Sequence, residues 1–231
     1  MDLLKVLCFL ILILIVGCTP YEFEPPPPSP YPLQIEITPS MRTIYQELLY
    51  NCASYNSEFV LILDTTPYSQ LDLENTDMII QLGEPEDGLT NFTYQFRQEE
   101  IILITSPDIN PAILSPEQIK EQYTAMKPDF SIWTYPEGHE MERLFSHLIL
   151  DGVALSPYSQ LVPNPEAMLE TINGGYNSIG YILNSFTNEF TNQISVDQSI
   201  QDSLTQPVLL ISKREPVGDV REFIACLQET D

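Results

Sequence analysis

Basic residues are scarce in this sequence. Nine Lys and Arg stand against 33 Asp and Glu, for a formal net charge of −24. A field of that sign repels nucleic acid and anionic lipid headgroups, so no nucleic-acid partner is expected. Long-range steering of anionic solutes is disfavoured too, and an anion site would need a local set of donors. Histidine is rarer still: His139 and His147 are the only two, eight apart. No metal-ligand spacing is present, and neither a metal nor another cofactor is expected. Several catalytic signatures are missing as well. There is no Gly-x-Ser-x-Gly elbow, no P-loop and no zinc-protease helix. Acidic pairs such as Glu99-Glu100 are too common in so acidic a chain to indicate glycosidase chemistry. The chain is therefore expected not to be an enzyme. No internal repeat is found. The apolar run Val6–Val16 is only eleven residues, short for a membrane span and suited to a secretory leader.

What is present starts with that leader. Lys5 precedes the run, and Ile15-Val16-Gly17-Cys18 closes it. The tetrapeptide resembles the bacterial lipobox. The resemblance implies a signal peptide over residues 1–17, cleavage before Cys18, and lipidation of Cys18 with diacylglyceryl and acyl (palmitate) chains. The mature protein would then be a lipoprotein, outside the cytoplasm and anchored to the bacterial cell membrane. The alternatives are an ordinary secretion signal or a short membrane anchor. Residues 18–32 hold Pro20, Pro25 to Pro28, Pro30 and Pro32. Such a stretch favours extended polyproline II at about 3 Å per residue and would serve as a semi-rigid tether. Asn91-Phe92-Thr93 matches a glycosylation sequon, a chance match beside a bacterial lipobox.

About 200 residues then remain, enough for one large domain or two small lobes. Hydrophobic content of 43% suffices for a core. Cys8 lies in the leader and Cys18 would carry lipid, which leaves Cys52 and Cys226. In an exported protein an even remainder suggests a disulfide; two buried free thiols are the alternative.

Leu33, Ile35 and Ile37 alternate with polar residues, a strand pattern. Thr38-Pro39-Ser40 reads as a helix start, with Thr38 as cap. Met41, Ile44, Leu48, Leu49 and Cys52 follow at helical spacing. Strands are expected over 59–63, 78–82, 95–105, 131–135, 178–183 and 207–212. Helices are expected from Ser115, over 138–150, from Asn164 to Ile172, and over 218–228. Residues 184–205 are polar and ambiguous. Strands alternating with helical patterns predict an α/β fold.

Several blocks, in this order, resemble the type 2 periplasmic binding protein fold, and among its members the phosphate-type substrate-binding lipoproteins of ABC transporters. They are Ile101 to Thr105 with Asp108-Ile109-Asn110-Pro111 and Leu114 to Ile119, then Trp133, then Arg143-Leu144-Phe145. Ala167-Met168-Leu169 with Ser178-Ile179-Gly180-Tyr181 follows, and Pro207-Val208-Leu209 with Glu215-Pro216-Val217-Gly218 closes the set. The resemblance covers roughly residues 33 to 228. It implies a bilobal domain over 33–231, with mixed sheets flanked by helices and a central cleft. Lobe 1 would take about 33–105 plus the C-terminal part, and lobe 2 about 106–183. The implied function is binding a small-molecule solute and delivering it to an ABC permease, as a monomer.

Helix starts near strand ends suit an anionic group. The candidate ligand-binding residues are therefore Ser40, Thr65, Thr66, Tyr135, Gly138, His139 and Arg143. Each has a plainer role beside it: a helix cap, a turn, a core ring or a surface charge. The chain also departs from the family. Thr38-Pro39-Ser40 replaces a Gly-Ser-rich loop, and Tyr135-Pro136-Glu137-Gly138-His139-Glu140 replaces an arginine with a Gly-Ser-Gly-Thr loop. Glu137 and Glu140 would repel phosphate. The expected solute is thus a small molecule other than inorganic phosphate, an anion among the candidates. The alternative function is a surface lipoprotein that keeps the fold as a structural or protein-interaction module.

Overall fold

A computed structural model describes residues 30–55, 58–85, 92–110, 115–196 and 198–229. The leader, Cys18 and the proline-rich stretch to residue 29 lie outside the described residues, as do Asn91, Pro111 and Leu114. The order of elements is β1 (Tyr31–Ile37), α1 (Pro39–Ser54), β2 (Phe59–Thr65), a 3-10 turn (Tyr68–Gln70), β3 (Met78–Leu82) and β4 (Phe92–Thr105). Then come α2 (Pro116–Thr124), β5 (Ser131–Thr134), α3 (Glu140–Leu148), β6 (Gln160–Leu161), α4 (Pro165–Gly174) and β7 (Ser178–Leu183). A second 3-10 turn (Asn184–Phe186), β8 (Asn192–Gln193), α5 (Gln198–Leu204), β9 (Thr205–Ser212) and α6 (Gly218–Glu229) complete the chain.

The strands follow the order β2-β1-β3-β9-β4-β7-β5-β6, with β8 on β4. Strand β4 joins the two lobes. Over 92–100 it pairs antiparallel with β9, and over 101–105 with β7. Lobe 1 is β2, β1, β3, β9 and the start of β4, with α1 and α6. Lobe 2 is the end of β4 with β7, β5 and β6, and helices α2, α3 and α4. The chain recrosses through residues 184–196 and 198–204. This is the two-lobed α/β architecture of the type 2 periplasmic binding protein fold.

Strand β1 buries Leu33, Ile35 and Ile37, the face its alternation marks. It begins at Tyr31, two residues inside the stretch read as tether, and pairs in parallel with β2 from Tyr31 and Phe59 onward. Pro32 is tolerated there. Tyr31 N–H donates to Glu58 on the β2 side, so the alternate position turns away from β2. Strand β3 pairs only with residues 35–37, and a missing donor at Pro32 breaks no ladder bond.

Helix α1 carries Met41, Tyr45, Leu49 and Cys52 inward. Cys52 is bonded to Cys226 of α6, across a sequence separation of 174 residues. Helix α2 is started by a capping box. Ser115 Oγ accepts from Gln118 N–H, and Gln118 Oε1 accepts from Ser115 N–H at 2.7 Å.

An aromatic cluster fills lobe 2. Phe145 of α3 stacks on Tyr181 of β7 with centroids 3.8 Å apart, and Tyr123 lies 4.7 Å from Phe145. Tyr135 meets Tyr181 edge-on at 5.3 Å. At the joint, buried Glu99 of β4 accepts from Tyr45 of α1 and from Ser185 of the recrossing segment. That contact ties both crossings to lobe 1.

Candidate functional site

Two helix starts converge at the seam between the lobes. The first is α1. Its first turn contains no acid, and Pro39 brings no N–H. A threonine at the N-cap ordinarily accepts from the second or third helical N–H. Thr38 holds the cap position but makes no such bond. Its hydroxyl instead donates to Glu140 Oε2, the first residue of α3 on the other lobe. The reading of Thr38 as a helix start holds, but its hydroxyl does not act as the capping acceptor.

This contact is dry. Thr38 is fully buried, and Ser40 and Glu140 are each 1% exposed. Burial pushes the Glu140 carboxyl above its ordinary pKa. The Thr38 hydroxyl, the Ser40 hydroxyl and N–H, and the charge of Arg143 pull it back down. Thr38 serves one carboxylate oxygen. The other, Oε1, is buried without a well-formed hydrogen bond, and so is Ser40 Oγ.

The second helix start is α3. Gly138 turns with φ +85°, which ends the loop and delays the helix to Glu140. The sequence pattern had placed Gly138 inside the helix, but that left-handed backbone is not helical. His139 is the cap: its Nδ1 accepts from Met141 N–H at 3.2 Å. Glu140 and Glu142 lie in the first turn, where carboxylates complement the helix dipole. Burial and neighbouring Glu137 raise the Glu142 carboxyl pKa.

One turn further along α3, Arg143 reaches into lobe 1. Its guanidinium lies over the Tyr68 ring, 4.1 Å from the centroid, and Nη2 donates to the Leu82 carbonyl at 3.3 Å. Gly83, with φ +75°, makes room for this approach. A Cβ there would lie 2.8 Å from Leu144 Cδ2. Lobe 2 thus seats α3 against the ends of β1 and β3 and the turn after β2.

The residues singled out in the sequence divide into two groups. Ser40, Gly138, His139 and Arg143 gather at the seam. Tyr135 lies directly behind it, stacked on His139 at 4.4 Å, with its hydroxyl donating to the Tyr181 carbonyl. Tyr135 is fully buried and belongs to the lobe 2 core. Thr65 and Thr66, at the end of β2, make other contacts. Thr65 Oγ1 accepts from Arg42, and Thr66 N–H donates to the Ile37 carbonyl. The sequence singles out neither Tyr68 nor Gly83, reads Thr38 only as a helix cap, and reads Glu140 only as an obstacle to phosphate.

Cavities among the described residues also lie elsewhere. One of about 490 Å³ opens where β1 and β3 begin and β9 ends, lined by Tyr31, Asp77, Lys213 and Val217 among others. One of about 260 Å³ lies between β4 and residues 193–196, Gln201 and Leu204. Neither is lined by Ser40, Glu140 or Arg143. Among the described residues no group of three or more His, Cys, Asp or Glu is placed to hold a metal ion.

Burial lowers the His139 pKa from 6.5 to about 4. Between those values the unfolded chain binds more protons than the folded one. Stability therefore rises with pH across this window and is lost as pH falls through it, by on the order of 3 kcal/mol. Buried Glu140 acts in the opposite sense, because its raised pKa favours the folded state below that pKa. Urea denaturation of wild type and His139→Gln at pH 7 and pH 4.5 isolates the imidazole. The wild type is expected to lose more stability than the variant; parallel losses would refute the assignment.

Neither a protein-family model nor a curated protein sequence matches the chain. Solved structures do. An ABC-type phosphate transport receptor from Vibrio cholerae superposes with a TM-score of 0.68 at 16% identity, covering 86% of this chain and 94% of that one. A phosphate ABC transporter substrate-binding protein with bound phosphate from Clostridium perfringens gives 0.70 at 17% identity, covering 85% and 92%. The regulatory domain of CcmR from Synechocystis PCC6803, in complex with 2-PG, gives 0.64 at 14% identity, covering 85% and 95%. At these identities the likeness establishes the fold: receptors and regulator domains share it with this chain.

Proposed function

We infer that this chain is a lipid-anchored extracytoplasmic solute-binding protein that passes a small solute to an ABC permease. The observation that carries this reading is the meeting of two helix starts at a seam between lobes joined by β4 and the recrossing segment. Hinged lobes with helix termini at the seam are the physical requirement for clamping a small polar molecule. The Cys52–Cys226 bond accords with an oxidising compartment outside the cytoplasm. The lipobox-like tetrapeptide supplies the proposed anchor at Cys18. Glu137, Glu140 and Glu142 crowd the start of α3 and argue against inorganic phosphate as the solute.

A thermal-shift screen of the detergent-solubilised protein tests the reading. The panel holds inorganic phosphate, sulfate, acetate, glycine, arginine and glucose. At least one compound other than phosphate is expected to raise Tm saturably by several degrees, as binding at about 100 times Kd does. A second reading, a structural or protein-interaction module, is favoured by the way α3 side chains fill the seam. A panel with no effect, together with a protein partner retained on immobilised protein, would replace the first reading with the second. Mass spectrometry of the native protein tests the anchor: an unmodified thiol at a processed Cys18 would remove it.

A further inference from the structure

We propose that Glu140 is an internal ligand: its carboxylate, carried on lobe 2, occupies the amino-terminal end of α1 in lobe 1 as a bound oxyanion would, and so holds the lobes shut. Helix α1 is sixteen residues long and has no acid of its own in the first turn. Its free N–H groups and positive dipole end call for an anion. Thr38, which should cap it, turns its hydroxyl to Glu140 instead. Ser40 Oγ lies in the same contact, buried and without a well-formed hydrogen bond. The arrangement is also held from the side. Arg143 is anchored to Tyr68 and the Leu82 carbonyl, and Gly83 leaves the space that α3 enters.

Two consequences follow. Closure needs no external solute, because the chain supplies the bridging carboxylate. A latent seat for a small monocarboxylate also exists, built from the Thr38 hydroxyl and the Ser40 hydroxyl and N–H. It becomes available to outside anions when the Glu140 side chain is displaced or removed. This inference concerns how the lobes close and holds whichever partner the protein serves. The solute screen can fail while it stands, and it can fail while the screen succeeds.

Glu140→Ala removes a group the size of acetate. In sodium chloride at pH 7 the variant is expected to melt several degrees below wild type. Replacing chloride by sodium acetate at equal ionic strength should restore Tm saturably in Glu140→Ala and leave wild type unchanged. Thr38→Val/Glu140→Ala should show no acetate response. Equal acetate responses in wild type and Glu140→Ala, or none in Glu140→Ala, would overturn the proposal. Should Glu140→Ala not fold, Thr38→Val, Glu140→Gln and their double variant form a thermodynamic cycle. The double variant is expected to lose less than the sum of the singles; strict additivity would overturn the proposal.

Discussion

Reduction of the Cys52–Cys226 bond is expected to lower the melting temperature by roughly 10 °C or more. The bond closes a loop spanning a sequence separation of 174 residues, nearly the whole folded region. Cross-linking a loop of that length removes much of the unfolded chain's freedom, and the chain-entropy model puts the gain at about 4–5 kcal/mol. The native state gains little from the bond as a contact. Helices α1 and α6 already pack together, with Cys52 1% exposed in the lobe 1 core. The effect should therefore appear in stability with little change in folded structure. Melting followed by circular dichroism, with and without dithiothreitol, measures it. An unchanged Tm, with reduction verified by thiol titration, would show that the bond contributes nothing.

The second large effect is expected at Phe145. Its ring is 1% exposed and lies between Tyr181 and Tyr123. Truncating a buried Phe to Ala removes transfer free energy and leaves a cavity, at a cost of about 3–5 kcal/mol. The stack with Tyr181 adds roughly another 1 kcal/mol that an aliphatic side chain does not replace. Relaxation is restricted here. Tyr181 is held through its hydroxyl to Thr134 at 2.7 Å, and its carbonyl accepts from Tyr135 at 3.1 Å. Urea denaturation of Phe145→Ala and Phe145→Leu should give a large loss and a clearly smaller one. The aromatic cluster also sets the position of α3, so Phe145→Ala should loosen Glu140 and Arg143 at the seam. A loss below about 1 kcal/mol in Phe145→Ala would mean that the ring is not packed as described.

Much of the fold could be read from the sequence because its signals are local. The apolar runs at β3, the end of β4, β7 and β9 are short, continuous and bounded by turns. Helix α2 announces itself through Ser115, Pro116 and Gln118, and α4 through Asn164 and Pro165. The order of the blocks then pointed to two lobes. Residues 184–204 were not legible because their structure depends on distant partners. Residues 192–193 pair with β4, and Ile194 N–H donates to the Leu103 carbonyl at 2.9 Å. No periodicity in a polar segment reports such contacts. The start of α3 was misplaced by two residues because the apolar spacing of Met141, Leu144 and Phe145 does not reveal the left-handed turn at Gly138.

Part of the seam carries a local signature: Ser40 and His139 stand at helix starts, and Arg143 lies one turn into α3. The partner of α1 was not found. Glu140 lies 102 residues from Thr38 in the chain, and nothing local ties them together. The same acid that argued against phosphate in the sequence is, in the folded protein, the group that fills the helix terminus.

Hydrogen exchange of the Ser40 amide, in chloride buffer with no added solute, tests the central claim most directly. Free N–H groups at an open helix terminus exchange rapidly; groups sealed beneath the Glu140 carboxylate exchange only when the lobes part. The account predicts strong protection in wild type and its loss in Glu140→Ala. Rapid exchange of the Ser40 amide in the wild-type protein would contradict it.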